Sequence, residues 1–191
     1  MSEVTLIRDL QNAVRGRVLS DPESLQAVST DFGRMITRVP RVVVQPISAE
    51  DVAATIQIGI RYNVPVSSRS AAHSQSGQAL NQGGILLDMI SLNAHCEVDP
   101  EEKTCTVDSG TLWKDLVSKL KHHKLIPPVL TNNLNVTAGG TLSMAGIGVS
   151  SFRYGVQGDN CLGLQVVTGS GEIVECSPPK TPNSSTTRFP G

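Results

Sequence analysis

Aromatic residues are scarce in this 191-residue chain: one tryptophan, two tyrosines and three phenylalanines make up 3% of it. The core must therefore be built from aliphatic side chains, and aromatic platforms for stacking nucleic-acid bases are not expected. Charge of one sign is missing too, with a formal net charge of −1. Without a basic stripe to follow a phosphate backbone, nucleic acid is not expected as a partner. Long hydrophobic runs are absent: nothing approaches the ~18 apolar residues of a membrane span, and the N-terminus lacks the apolar stretch of a signal peptide. The expectation is a soluble, cytoplasmic protein with no membrane partner. The four cysteines, Cys96, Cys105, Cys161 and Cys176, show no Cys-x-x-Cys spacing. That argues against a metal site and, in a reducing cytosol, for free thiols.

What is present is a regular alternation of strand and helix signals. Met1 to Leu10 reads as the start of an amphipathic helix. Arg41-Val42-Val43-Val44-Gln45-Pro46 reads as a strand closed by proline, and Ser48-Ala49-Glu50-Asp51 as an N-cap with acids in the first turn. The helix it opens runs to about Tyr62, with Val52, Ile56 and Ile60 as one buried face. Asn63 ends it, and Val64-Pro65-Val66 begins the next strand, giving a β–α–β unit. Ile85 to Met89 is a short buried strand. Glu97-Val98 and Thr104 to Val107 form a hairpin around Asp99-Pro100-Glu101-Glu102, with Cys96 and Cys105 placed to face each other across it. Ser109-Gly110-Thr111 caps a helix through Trp113, Leu116, Val117 and Leu120, whose end is basic, as the helix dipole favours. The adjacent His122 and His123 there are read as solvated. A last hairpin folds over Gly169-Ser170-Gly171, and Ser177 to Gly191 is a Pro/Ser/Thr-rich tail expected to be disordered.

Two stretches concentrate small residues. In Val66 to Gln78 a β-type run breaks into Ser70-Ala71-Ala72, meets the single histidine His73, and resumes at Gly77. Small side chains leave successive backbone N–H groups uncovered, so such a loop can cup a diphosphate; taken alone, it is equally a surface turn with an incidental histidine. Thr131 to Gly148 holds four glycines and short hydroxyl side chains. It is either a plain chain reversal or a place where backbone approaches a ligand closely, with the diglycine Gly139-Gly140 permitting positive φ. Two such loops about sixty residues apart suggest a cleft with two backbone walls, suited to a dinucleotide.

Together these segments resemble the FAD-binding (PCMH-type) domain of the vanillyl-alcohol-oxidase superfamily, within it the cytokinin-dehydrogenase and berberine-bridge-like FAD-linked oxidoreductases. The resemblance is carried by Asp31-Phe32-Gly33, Pro40 to Pro46, Ser48 to Val52, Arg69 to Gln78, Gly110-Thr111-Leu112-Trp113 and Thr131 to Gly148. Phe152-Arg153-Tyr154-Gly155 and Val167 to Glu172 complete it. It implies an α+β fold of two subdomains, a small βαβ N-terminal one and a mixed sheet flanked by helices. Residues 1–27 would be a helical lead-in, 28–177 the FAD-binding domain and 178–191 the disordered tail, with the chain truncated before a substrate domain. FAD is the implied cofactor. Ser70, Ala71, Ala72, His73 and Ser74 would wrap its pyrophosphate and ring edge, with Arg69 also cofactor-binding, and His73 falls on the histidine that can bond covalently to the flavin 8α-methyl carbon. Gln78, Asn132, Thr137, Gly139, Gly140 and Ser143 fall on further cofactor-facing positions.

The chain departs from the family at three places. Ala71 and Ala72 replace glycines, adding methyls where backbone should meet phosphate and disfavouring positive φ by roughly 1 kcal/mol. Asn132 stands where cytokinin dehydrogenases carry an aspartate base, and an amide accepts no proton from a substrate amine. Asn133 stands near the position of a second flavin-linking cysteine in bicovalent relatives. After Ser177 the family continues into a flavin-contacting glycine segment and a substrate domain, which the tail does not resemble. The implied parent reaction moves a hydride from a small alcohol, amine or sugar to flavin N5, with O2 or another acceptor reoxidising it. The alternatives are a non-catalytic flavin-binding module served by a partner that supplies the substrate domain, and a truncated inactive remnant.

Overall fold

A computed structural model describes residues 3–177 and divides the chain into two compact units, 1–92 with 166–174, and 93–165 with 175–191. The tail expected from Pro178 onward lies outside the described residues.

The first unit starts with α1 (Glu3–Ala13), β1 (Arg17–Leu19) and α2 (Pro22–Ala27). It continues through β2 (Val42–Gln45), α3 (Ala49–Tyr62), β3 (Val66–Arg69) and β4 (Ile85–Asp88). The strands form one sheet in the order β1-β2-β4-β3, with β1 antiparallel to β2 and the other pairs parallel. Every residue of β4 is buried, as are Val42, Val43 and Val44 of β2. Uninterrupted aliphatic runs are what strands covered on both faces require. Leu6, Leu10 and Val14 pack with Val42, Val44, Val52, Ile58, Ile85 and Leu87 in one core, so the N-terminal helix is part of this unit's interior.

Local sequence sets the limits of α3 well. The Ser48 hydroxyl accepts from the Asp51 N–H at 3.3 Å, and Asn63 closes the helix at φ 52° with its N–H on the Gly59 and Ile60 carbonyls. The buried face differs from the expected Val52, Ile56, Ile60 stripe. Ile60 is 60% exposed, while Thr55, Ile58 and Gly59 join Val52 inside. A strict four-residue step drifts about 40° per step around a helix of 3.6 residues per turn, carrying Ile60 out to solvent.

The second unit holds β5 (Cys96–Asp99), β6 (Thr104–Val107), α4 (Trp113–Lys121), α5 (Ala138–Leu142) and α6 (Ser151–Tyr154). Trp113, Leu116, Leu120, Leu125 and Ala138 form its core, lined by Cys96, Val98, Cys105 and Val107 from the hairpin. The register sets Cys96 opposite Val107 and Cys105 opposite Val98, so the cysteines are diagonal neighbours on one face and do not face each other directly. Burial, with a smaller contribution from Cys96, pushes the Cys105 thiol up to about 11 and keeps it protonated. Nor does the Ser109-Gly110-Thr111 segment cap α4. The N-cap is Leu112, and the Trp113 and Lys114 N–H groups donate to the Val136 and Leu134 carbonyls at 3.1 and 3.0 Å. A neighbouring backbone has replaced the hydroxyl cap. The final strands β7 (Leu164–Val167) and β8 (Ile173–Cys176) form the expected hairpin.

Candidate functional site

The parallel strand β3 ends at Arg69, and the 70–78 loop leaves from its carboxyl end. In open parallel sheets this is the end at which loops gather ligands. The loop is held from one side by residues 31–33. Phe32 N–H donates to the Ala72 carbonyl at 2.9 Å and Gly33 N–H to the Ser74 carbonyl at 3.4 Å. The buried Asp31 carboxylate accepts from the Ser74 hydroxyl at 3.0 Å and the Gly77 N–H at 2.8 Å. Burial opposes ionisation of Asp31, but the bonds from Gly77 and Ser74, helped by the Arg34 and Gly33 amides, outweigh it and hold the carboxyl below its ordinary range. The sign follows: Asp31 stabilises the loop fully above its unfolded value near pH 3.9, and that contribution is lost as pH falls toward the lower folded value. Protection of the Gly77 amide from hydrogen exchange should therefore be flat from about pH 5 to 7 and fall below about pH 4. Asp31→Asn should abolish that acid step.

The loop's donors are unspent. Its carbonyls at 72 and 74 are tied back to Phe32 and Gly33, whereas the N–H groups of Ala71, Ala72 and Ser74 donate to no acceptor among the described residues. The buried donors Ser70 Oγ and Arg69 Nε likewise have no partner; the acceptor Asp31 Oδ1 has none either, and its negative charge does not favour an anion. One Arg69 NH1 group donates to the Val28 and Thr30 carbonyls at 2.7 and 3.3 Å, which fixes the guanidinium. Burial lowers the Arg69 pKa from its ordinary value, opposed by the charges of Asp88 and Asp31. Beside these groups opens a pocket of about 560 Å³ lined by Thr30, Asp31, Phe32, Arg69, Ala71 and Ala72, among others. Its size falls in the range of ligand sites. Unspent donors on a small-residue loop beside an open pocket suit an anionic, oxygen-rich ligand, and the donors Ser70 Oγ and Arg69 Nε with the loop N–H groups fit the phosphate portion of FAD.

Ala72 sits at φ 55°, the left-handed conformation that glycine adopts at no steric cost, whereas Ala71 has no positive φ. Ala72→Gly should relieve that strain against the added freedom of the unfolded chain, for a net gain of about 0.5 kcal/mol in urea denaturation. An unchanged or lower midpoint would show that the loop has relaxed around the methyl.

The other expected residues divide by unit. Gln78 is exposed, and its side-chain carbonyl accepts from the Ser76 N–H at 3.0 Å. In the second unit the Thr131–Gly148 stretch is not an open glycine loop but contains α5. Thr137 is its N-cap, the Thr137 hydroxyl accepting from Gly140 N–H at 3.2 Å, and Ser143 Oγ donates to the Gly139 carbonyl at 2.8 Å. Gly139 and Gly140 are therefore helical and not at positive φ. Gly139 is needed for approach instead: a Cβ there would lie 2.6 Å from Ser109 Cβ. The buried Ser109 Oγ and Thr111 Oγ1 have no partner, while Trp113 Nε1 donates to Thr141 Oγ1 at 2.9 Å. Asn132 is exposed on the preceding turn. Asp31 and Phe32 join the site only through the tertiary structure. Their signal was one of three phenylalanines set between an acid and a glycine.

A family described as FAD binding domain matches residues 40–177. Cytokinin dehydrogenase 10 of Oryza sativa subsp. japonica is 37% identical over 174 residues, covering 86% of this chain and 32% of that protein. An uncharacterized oxidoreductase from the fasciation locus of Rhodococcoides fascians is 39% identical over 158 residues, covering 83% of this chain and 36% of its own length. Among solved structures, 6-hydroxy-D-nicotine oxidase from Arthrobacter nicotinovorans superposes with a TM-score of 0.76 at 28% identity, covering 86% of this chain and 36% of that one. The chain thus spans about a third of the length of the curated relatives it matches. Its mixed sheet and helices are those of the FAD-binding domain of the vanillyl-alcohol-oxidase superfamily, the family to which this chain belongs.

Proposed function

We propose that the 69–74 loop holds the FAD pyrophosphate and that His73 becomes covalently attached to the flavin, in a protein that oxidises a small alcohol, amine or sugar. The reading is carried by the unspent N–H groups of Ala71, Ala72 and Ser74, with Ser70 Oγ and Arg69 Nε, on the loop whose residues Arg69, Ala71 and Ala72 line the pocket. Bound FAD supplies a hydride acceptor, chemistry that no side chain here possesses. The chain's own residues bind and orient. Arg69, fixed by two backbone carbonyls, brings positive charge to the loop, and the small side chains let its backbone donors reach phosphate oxygens. Asn132 has no proton-accepting capacity, so an amine substrate would need its base elsewhere.

Intact-mass analysis of denatured protein, expressed with riboflavin, tests the reading. A mass gain of one FAD and visible flavin absorbance are expected, with the covalent adduct lost in His73→Ala. A colourless wild-type protein of unmodified mass would overturn it.

A second reading, a flavin-binding module completed by another chain, is favoured by one observation in the second unit. Met144, Ile147, Val149 and Phe152 are all largely exposed within nine residues of sequence. A purified chain that stays monomeric and soluble in size-exclusion chromatography would count against it.

A further inference from the structure

We infer that Phe32 is a positioning residue for His73, holding the imidazole in the orientation from which it bonds to the flavin; the inference rests on the covalent attachment proposed above. The Phe32 and His73 rings are stacked, with centroids 5.3 Å apart and planes 23° from parallel. That separation lies in the range of favourable offset aromatic pairs. Phe32 is nevertheless 65% exposed, so burial of its own surface does not explain its place. An exposed phenylalanine in an aromatic-poor chain, stacked on the loop's one histidine, is better accounted for by what it does to that histidine.

The backbone around the pair leaves the two rings little freedom to separate. Phe32 N–H is bonded to the Ala72 carbonyl and Gly33 N–H to the Ser74 carbonyl, on either side of His73. Asp31 adds the Ser74 hydroxyl and the Gly77 N–H. The segment 31–33 thus grips the loop one residue before and one residue after the histidine, and Phe32 supplies the face against which the imidazole rests. Phe32 also lines the pocket, together with Ala71 and Ala72. Its ring therefore gives the imidazole a fixed face to rest on beside the pocket. A ring held in one orientation reacts faster than one that must find it.

The attachment forms one bond between an imidazole nitrogen and the flavin 8α-methyl carbon. The imidazole N–H and one methyl C–H are given up as two protons, and their two electrons pass to dioxygen, which takes up both protons as hydrogen peroxide.

The experiment adds FAD to the full-length apoprotein in air and follows the covalent adduct by intact mass against time, in wild type, Phe32→Ala, Phe32→Leu and Phe32→Tyr. Non-covalent affinity is measured in parallel, by fluorescence quenching, on the same variants combined with His73→Ala. Adduct formation should slow about tenfold in Phe32→Ala and Phe32→Leu, the loss expected of one stacked pair. It should recover in Phe32→Tyr, and the slowing should persist at saturating FAD, where a change in non-covalent affinity no longer affects the rate. Phe32→Leu keeps most of the volume and so serves if the alanine variant folds poorly. Wild-type rates in the folded alanine or leucine variant would overturn the positioning role alone. A wild-type protein that binds FAD but never gains mass would overturn the covalent reading, and the inference with it.

Discussion

Gly33→Ala is expected to lower the stability of the protein by about 3–5 kcal/mol and to lower its flavin content. The Gly33 backbone runs so close to residue 75 that a methyl group would overlap the Gln75 carbonyl and lie 2.8 Å from Gln75 Cα. Neither partner is a flexible side-chain end, so the strain must be met by moving backbone. The movement separates 31–33 from 72–75. It breaks the bonds from Phe32 N–H to the Ala72 carbonyl and from Gly33 N–H to the Ser74 carbonyl, and it draws Asp31 away from Ser74 and Gly77. Overpacking costs about 1–3 kcal/mol and each lost hydrogen bond about 1. The same movement disperses the unspent donors of Ala71, Ala72 and Ser74. Urea denaturation and the flavin-to-protein absorbance ratio read the two effects separately. A variant with the wild-type midpoint and flavin content would show that the close approach of these segments is not needed.

Asp51→Ala should cost stability on a similar scale while leaving the site itself untouched. The carboxylate is 2% exposed and accepts three backbone N–H groups: Arg15 at 2.8 Å, and Gly16 and Ile47 at 3.0 Å. It thereby joins the turn after α1, the end of β2 and the first turn of α3 at one point. A methyl in its place leaves three donors without a partner. At about 1–3 kcal/mol for each buried unsatisfied group, the loss should be at least about 3 kcal/mol. Asp51→Asn keeps the shape but turns an N–H₂ toward backbone donors, so it should recover only part of the loss. Thermal melting of the three proteins orders them wild type, asparagine, alanine. An asparagine variant as stable as wild type would mean that this carboxylate's contacts are not what holds the junction.

Elements whose causes are local can be read directly from the residues that form them. Ser48 and Asn63 bound α3 because a hydroxyl cap and a left-handed stop act within one turn of the residues they serve. Val42 to Val44 and Ile85 to Leu87 read as buried strands because unbroken aliphatic runs have few other uses in a small domain. The small-residue loop around His73 was legible for the same reason: uncovered backbone is a property of the side chains present. The tertiary structure decided whatever depends on approach between distant segments. It placed Asp31, Phe32 and Gly33 against 72–77, some forty residues on, and so made Phe32 a neighbour of His73. It turned Gly139 and Gly140 into helix, because the glycine requirement there is the nearness of Ser109 and not a positive φ. It gave α4 a backbone cap in place of Thr111, and by register it set Cys96 and Cys105 diagonally. Composition and periodicity report which surface a segment buries, but where its donors find acceptors is settled only when the partner backbone arrives.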